Sequence, residues 1–274
     1  MKLIISPAKK MNRDTDTAPY RDLPMYVDRA RELMDYIRSL GCARCRTIWN
    51  CSARLAELNW RRFQDMDLTR ALTPAILSYE GLQYQYLAPR VLDDAALEYL
   101  QAHLRIMSGF YGILRPFDGV VPYRLEMQAK PWQEKEKPAS LYEYWGDTLA
   151  EHLFREDRLI LNLASKEYSR CIARYAKGRE DVRFVTCVFG EKIDGRIVEK
   201  GTLAKMARGE MVRYLAEKQA EDPETVKSFC RLDYEFCEEN SDSNTFVFVK
   251  KITNKTGESC RQTMQVNHVG EECR

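Results

Sequence analysis

The chain is 274 residues long, room for one large domain or two small ones, and its 45% hydrophobic and 31% charged residues suit a protein with a real core. Its 43 Lys and Arg nearly balance 41 Asp and Glu, for a formal charge of +2, which excludes a histone-like basic coat. Any anionic partner must therefore be held by a local patch, and no stretch approaches the roughly 18 apolar residues of a membrane-crossing helix.

The chain opens MKLIISPAKK, too few apolar residues for an export signal. Lys2 to Ile5 reads as a strand that stops at Ser6-Pro7, because proline cannot donate to a ladder. Val27, Ala30, Met34 and Ile37 recur at helical spacing and predict a helix from Val27 to Leu40. Ile48, Cys51, Leu55 and Leu58 predict a second. Leu97, Leu100, Leu104 and Met107 predict a third, capped by Asp93 or Asp94.

Ser140 and Glu143 have capping-box spacing, with Tyr142, Trp145, Leu149 and Leu153 as the buried stripe of the helix they start. Arg158 to Ala164 is a continuous apolar run of strand length, as expected of a strand buried on both faces. Ser165 caps a following helix that stops near Gly178. Val182 to Ile193 and Arg196 to Lys200 flank Asp194-Gly195, a pair suited to closing a β-hairpin. Thr202 to Gln219 reads as a helix with Leu203, Ala207, Met211 and Leu215 on one side, Asp222-Pro223 opens one more, and Phe246 to Lys251 is a last strand. Strands interleaved with helices indicate a single α/β domain over residues 1–252, followed by a polar, flexible tail from 253 to 274.

Two strand ends share a design, Ser6 to Lys10 and Ser165-Lys166-Glu167: a strand ends in Ser and Lys follows. Unpaired N–H groups at a helix start favour an anion, and ligands of open α/β sheets collect at strand ends. The bland alternative is that Ser165 is only a cap and the lysines are solvated. Lys205 and Arg208 share a helix face, and Gly209 beside them implies that a packed helix or a ligand comes close to the backbone. Arg124 and Glu126, two apart in an extended segment, point the same way.

Leu104 to Arg115, with Arg105, Ser108, Gly109, Tyr111, Gly112 and Arg115, has the outline of a helix-hairpin-helix. Such a hairpin offers backbone N–H groups and arginines to DNA phosphates without reading bases. A plain turn fits the Gly-x-x-Gly pair at least as well, and Pro116 cuts the second helix short. Cys42, Cys45 and Cys51 lack a fourth zinc ligand nearby, and the odd total of nine cysteines suits reduced thiols in the cytoplasm. There is no P-loop, no GxGxxG and no nucleophile elbow, so neither a cofactor nor a metal is expected.

The strings ISPAK, HLRIMSGFYGILRPFD, PYRLEM, LYEYWGD, LNLASKEY and AKMARGEM resemble, in order, the signatures of the YaaA family of bacterial peroxide-stress proteins. The resemblance runs from about Lys2 to Lys251. It implies a cytoplasmic protein with a mixed α/β (α+β) fold and a basic cleft, which limits the damage done by iron and hydrogen peroxide. It also implies binding of double-stranded DNA, and it favours the hairpin reading at Ser108 to Leu114. The positions matching the family's cleft are Ser6, Lys9, Tyr123, Arg124, Glu126, Trp145, Asp147, Asn162, Ser165, Glu167, Tyr168, Lys205 and Arg208, with Met206 where the family often has a second Lys.

Two functions follow as expectations. In the first, Lys9, Arg105, Arg115, Arg124, Lys205 and Arg208 neutralise phosphates of duplex DNA with little sequence preference. In the second, the cleft is an enzyme site for a small nucleotide-like or other anionic substrate. Glu126 or Asp147 would then be the general acid or base, and Lys9 or Lys205 the electrophile. Carboxylates would repel phosphate in a DNA cleft, which is the best argument for the second, but DNA binding in peroxide defence is the leading expectation.

Overall fold

Whatever lies between the two Ser-ended strands must be held by the sheet they belong to. The structure, a computed structural model, describes residues 1–134 and 136–251. In chain order its elements are β1 (Lys2–Ile5), β2 (Lys10–Met11), α1 (Val27–Ser39), α2 (Cys42–Trp49), α3 (Ala53–Asp65), β3 (Thr73–Pro74), α4 (Ala75–Ser78), β4 (Tyr79–Glu80), α5 (Leu82–Leu87) and α6 (Asp94–His103). There follow β5 (Leu104–Ser108), β6 (Gly112–Leu114), β7 (Gly119–Val120), α7 (Leu141–Trp145), α8 (Thr148–Glu156), β8 (Leu159–Leu163) and α9 (Lys166–Ala176). The last are β9 (Arg183–Ile193), β10 (Arg196–Val198), α10 (Gly201–Lys218), α11 (Pro223–Lys227), β11 (Tyr234–Phe236) and β12 (Thr245–Lys250).

The main sheet has the order β11-β12-β9-β8-β1-β5-β6, with β10 paired to β9. The strands from β12 to β5 run parallel, and the two ends of the row are antiparallel pairs. β1 pairs with β5 through Leu3↔Leu104 and with β8 through Leu3↔Leu161 and Ile5↔Leu163. Because helices must cover both faces of parallel strands, β1, β5 and β8 are almost wholly buried. The chain lays down β1, adds β5 on one side and only later β8 on the other. Loops leaving β1 and β8 therefore diverge, and a crevice opens between their C-terminal ends.

Several expectations are met: β1, α1, β8, α9, the β9–β10 hairpin, α10, α11 and β12 lie where the residue pattern places them. At the hairpin tip Asp194 and Gly195 both have positive φ (48° and 75°), as a tight turn of right-twisted strands requires. The helix expected over Ile48 to Leu58 is instead two. Asn50 is left-handed, and Ser52 starts α3 by accepting the Leu55 N–H at 3.4 Å. Leu55 and Leu58 face solvent, while Ala56, Asn59 and Phe63 form the buried stripe.

The helix begun at Ser140 is likewise divided, at Gly146 (φ +54°), although Trp145, Leu149 and Leu153 stay buried across the break. Ser140 Oγ accepts the Glu143 N–H, and Glu143 accepts from the Ala139 N–H one residue before the cap.

The helix-hairpin-helix outline is not formed. α6 ends at His103; Leu104–Ser108 becomes a parallel strand beside β1, and Gly112–Leu114 folds back antiparallel to it. Ladder pairing and full burial override the helical spacing of Leu104 and Met107. In the turn, Ser108 Oγ accepts the N–H groups of Phe110 (3.1 Å) and Tyr111 (2.9 Å), so neither is offered to a phosphate. The tail expected at 253–274 lies outside the described residues. Among the described residues no helix is long and apolar enough to cross a membrane.

Candidate functional site

The crevice between β1 and β8 is a cavity of about 680 Å³. Its floor is the junction of the two Ser-ended strands. Ser6 Oγ accepts the Ser165 N–H at 2.8 Å and donates to Ser165 Oγ at 3.2 Å, tying together residues 159 apart in sequence. Ser165 thus occupies the N-cap position of α9 with its side chain engaged by Ser6 instead of its own helix.

One wall comes from α5, where Tyr84 donates to Ser6 O at 3.0 Å and Gln83 to Leu163 O at 3.3 Å. Tyr123 lines the cavity with its hydroxyl between Ser108 Oγ (2.6 Å) and Tyr79 OH (2.8 Å). Burial pushes the Tyr168 hydroxyl well above the ordinary tyrosine range.

Six cations line this space, Lys9, Lys10, Arg124, Lys166, Lys205 and Arg208, against four carboxylates, Glu80, Glu126, Glu167 and Glu199. Arg124 and Arg208 are the enclosed ones, with side chains 10% and 13% exposed. Glu126 accepts from Arg124 at 3.0 Å on one oxygen and from Lys9 at 2.9 Å on the other. Glu199 holds Arg208 at 3.1 Å, and Lys10 pairs with Glu80. The Nε atoms of Arg124 and Arg208 are buried without a hydrogen-bond partner, an arrangement that is costly unless something completes it. Burial pulls the Arg208 guanidinium below the ordinary arginine range, with Glu199 acting in the opposite sense. Burial raises the Glu167 carboxyl, opposed by the Gln128 N–H and reinforced by the charge of Glu126.

A family model described as peroxide stress protein YaaA matches residues 1–240. The chain belongs to that family. It is 51% identical over 255 residues to a UPF0246 protein of Desulfitobacterium hafniense, covering 93% of this chain and all of that one. It is 52% identical over 254 residues to a UPF0246 protein of Lachnoclostridium phytofermentans (93% and 98% covered) and 48% identical over 252 residues to one of Agathobacter rectalis (92% and 100%). Every residue lining the cavity falls inside the stretch matched by the YaaA family model.

Of the positions expected to form the cleft, Ser6, Lys9, Tyr123, Arg124, Glu126, Ser165, Glu167, Tyr168, Lys205 and Arg208 do line one cavity. The rest stand elsewhere. Asn162 lies beneath the site, where its Oδ1 accepts the Ala164 N–H at 2.9 Å and its Nδ2 donates to Thr186 Oγ1 at 3.3 Å, shaping the turn into Ser165. Trp145 is core, its Nε1 donating to Gly109 O at 3.1 Å. Asp147 is exposed at the start of α8 and does not line the cavity.

Arg105 is buried against Glu156 at 2.7 Å, and Arg115 pairs with Asp118 and Asp22. Ser108 supports Tyr123 from behind, while Gly109, Tyr111 and Gly112 are buried in the β5–β6 turn region. A Cβ on Gly109 would lie 2.6 Å from Leu125 O, so packing accounts for that glycine.

Packing also explains Gly209, where a Cβ would stand 2.1 Å from Gln83 O on α5. Cys42, Cys45 and Cys51 are free thiols; Cys45 is packed in the core, and no metal-holding group of three or more His, Cys, Asp or Glu occurs among the described residues. Residue reasoning missed Glu80, Gln83, Tyr84 and Glu199. The first three lie in elements too short to show a period. Glu199 sits just before α10, and the strand-to-helix logic applied to Ser6 and Ser165 would have found it.

Proposed function

We propose that this YaaA-family protein serves peroxide defence by holding a small phosphate-bearing ligand, of nucleotide size, in the cavity between β1 and β8. The observation that carries this reading is the convergence of Arg124 and Arg208, both enclosed and each with an unpartnered Nε, on one space at the switch point of the sheet. The volume of about 680 Å³ falls within the roughly 300–1,000 Å³ of ordinary small-molecule sites. Glu126 and Glu199 keep the two guanidinium groups paired until a ligand takes them over, and Lys9 and Lys205 at the rim attract it. Glu126 and Glu167, which line the cavity, could move a proton on a bound ligand.

Calorimetric titration with AMP and ADP tests this, using the full chain and its Arg208→Gln variant. Binding that the variant weakens at least tenfold supports the reading. Neither nucleotide binding at millimolar concentration overturns it.

A second reading, duplex DNA held across the rim, is favoured by one feature. α2 and α3 are joined by only Asn50, Cys51 and Ser52, and α2 lines a neighbouring cavity that shares Lys9 and Glu126 with the first. This helix pair, not the segment at 104–115, is then the phosphate-gripping hairpin. Binding of duplex DNA whose log affinity falls with log salt by about 0.9 for each neutralised phosphate supports it. A flat salt response removes it.

A further inference from the structure

The neighbouring cavity, about 570 Å³, is walled by α2 and by the segment from Gln128 to Gln133. Its charged residues are Lys9, Arg44, Lys130 and Glu126. Glu126 already receives both Lys9 and Arg124. Arg44 and Lys130 make no ion pair among the described residues; Arg44 donates to Pro131 O at 3.2 Å, and Lys130 is exposed. Arg44 and Lys130 are therefore cations outside any ion pair of the described residues, with the Glu134 carboxylate nearby held by Tyr36, whereas both enclosed arginines of the first cavity have carboxylate partners. Trp49 and Trp132 supply apolar wall. Trp49 is a core residue, 3% exposed and stacked on Phe63, so it closes the wall without offering its N–H to the cavity. A group rich in acceptor oxygens suits the free positive charge of Arg44 and Lys130.

We infer that this second cavity is an anion subsite of the same binding site, so that the ligand class is a nucleotide-sized molecule carrying two separated phosphate groups. The inference rests on the reading that the first cavity takes a phosphate. The two spaces meet at Lys9 and Glu126, which line both. One phosphate lies against Arg124 and Arg208; the other reaches past Lys9 to Arg44 and Lys130.

Three probes separate the possibilities in calorimetric titrations of the full chain: AMP, ADP with its phosphates contiguous, and adenosine 3′,5′-bisphosphate with them apart. Adenosine 3′,5′-bisphosphate is expected to bind at least tenfold tighter than AMP. The double variant Arg44→Gln/Lys130→Gln removes that advantage while AMP and ADP stay within twofold of their wild-type affinities. Lys130→Gln alone, at an exposed side chain without an ion pair, costs the bisphosphate about threefold.

If the double variant leaves bisphosphate affinity unchanged, or weakens ADP equally, the second subsite does not exist. If wild-type protein binds AMP but prefers the bisphosphate to neither AMP nor ADP, the inference fails while the first-cavity reading stands. If none of the three binds, both fall.

Discussion

Gly209 on α10 lies against the backbone of α5, and Gly209→Ala tests whether that approach sets the spacing of the site. The added Cβ would stand 2.1 Å from Gln83 O, 2.9 Å from Gln83 C and 3.0 Å from Tyr86 Cβ, more than an ångström short of ordinary contact with a carbonyl that belongs to main chain. A side-chain tip could swing aside; this carbonyl moves only if the helix moves. Overpacking of this kind costs about 1–3 kcal/mol, while replacing a mid-helix glycine by alanine returns about 1 kcal/mol of helix propensity.

With a main-chain clash this close the cost falls at the upper end of that range, so the net expectation is a loss of about 2 kcal/mol, read as a fall in melting temperature of roughly 4–8 °C for a domain of this size. The same displacement moves Arg208, next in sequence, away from the floor that Gln83 and Tyr84 hold through Leu163 O and Ser6 O. Affinity for AMP should fall with stability. Thermal unfolding followed by circular dichroism, with calorimetric titration beside it, measures both. A variant that melts at or above the wild-type temperature would refute the packing argument, because propensity alone would then have decided the outcome.

Gly112→Ala should cost about 2–4 kcal/mol in denaturant titration, since its φ is +77° and a Cβ would stand 2.9 Å from the side chains of Trp145 and Leu149. Burial pushes the Glu156 carboxyl up, but hydrogen bonds from His152 and Arg105 overcome this and hold it down at about 2. A folded-state value below the unfolded one means stability that is present at neutral pH and lost as pH falls from about 4.5 towards 2. Glu156→Gln should therefore lose about 2–3 kcal/mol at pH 7 and unfold with a flatter acid dependence. Glu167, raised by burial and by the charge of Glu126, repels an anion only when ionised. Binding of a phosphodiester, whose own charge is constant, should tighten as pH is lowered from 8 towards 5, and Glu167→Gln should abolish that trend; an unchanged pH profile in the variant would assign it to another group.

Long elements were legible because their residues repeat. β8 reads as an unbroken apolar run, and α10 shows its buried Ala207, Met211 and Leu215 at helical spacing. The misreading at Leu104 and Met107 has a physical origin: a helix that passes directly into a strand at His103 can keep helical spacing for another turn by coincidence. Only long-range pairing with β1, invisible to a local window, decides between them. The stretch from Thr73 to Leu87 gave no signal because its strands are two residues long and its helices four and six, yet it carries Glu80, Gln83 and Tyr84 into the site. Most cleft residues were legible as strand-end or helix-face positions, but their convergence was not. Arg105 and Arg115, singled out as the arginines of the helix-hairpin-helix outline, instead pair with Glu156 and Asp118.

The pairing of β1 with β8 also bears on how the polypeptide is made. Leu3 leaves the ribosome long before Leu161, its sheet neighbour, exists. At about 5–20 residues per second, that gap lasts on the order of ten to thirty seconds. Through that time one edge of an apolar strand has nothing to bind, so the nascent chain, and any ribosome-stalled fragment ending before Leu159, carries a sticky, unfinished edge.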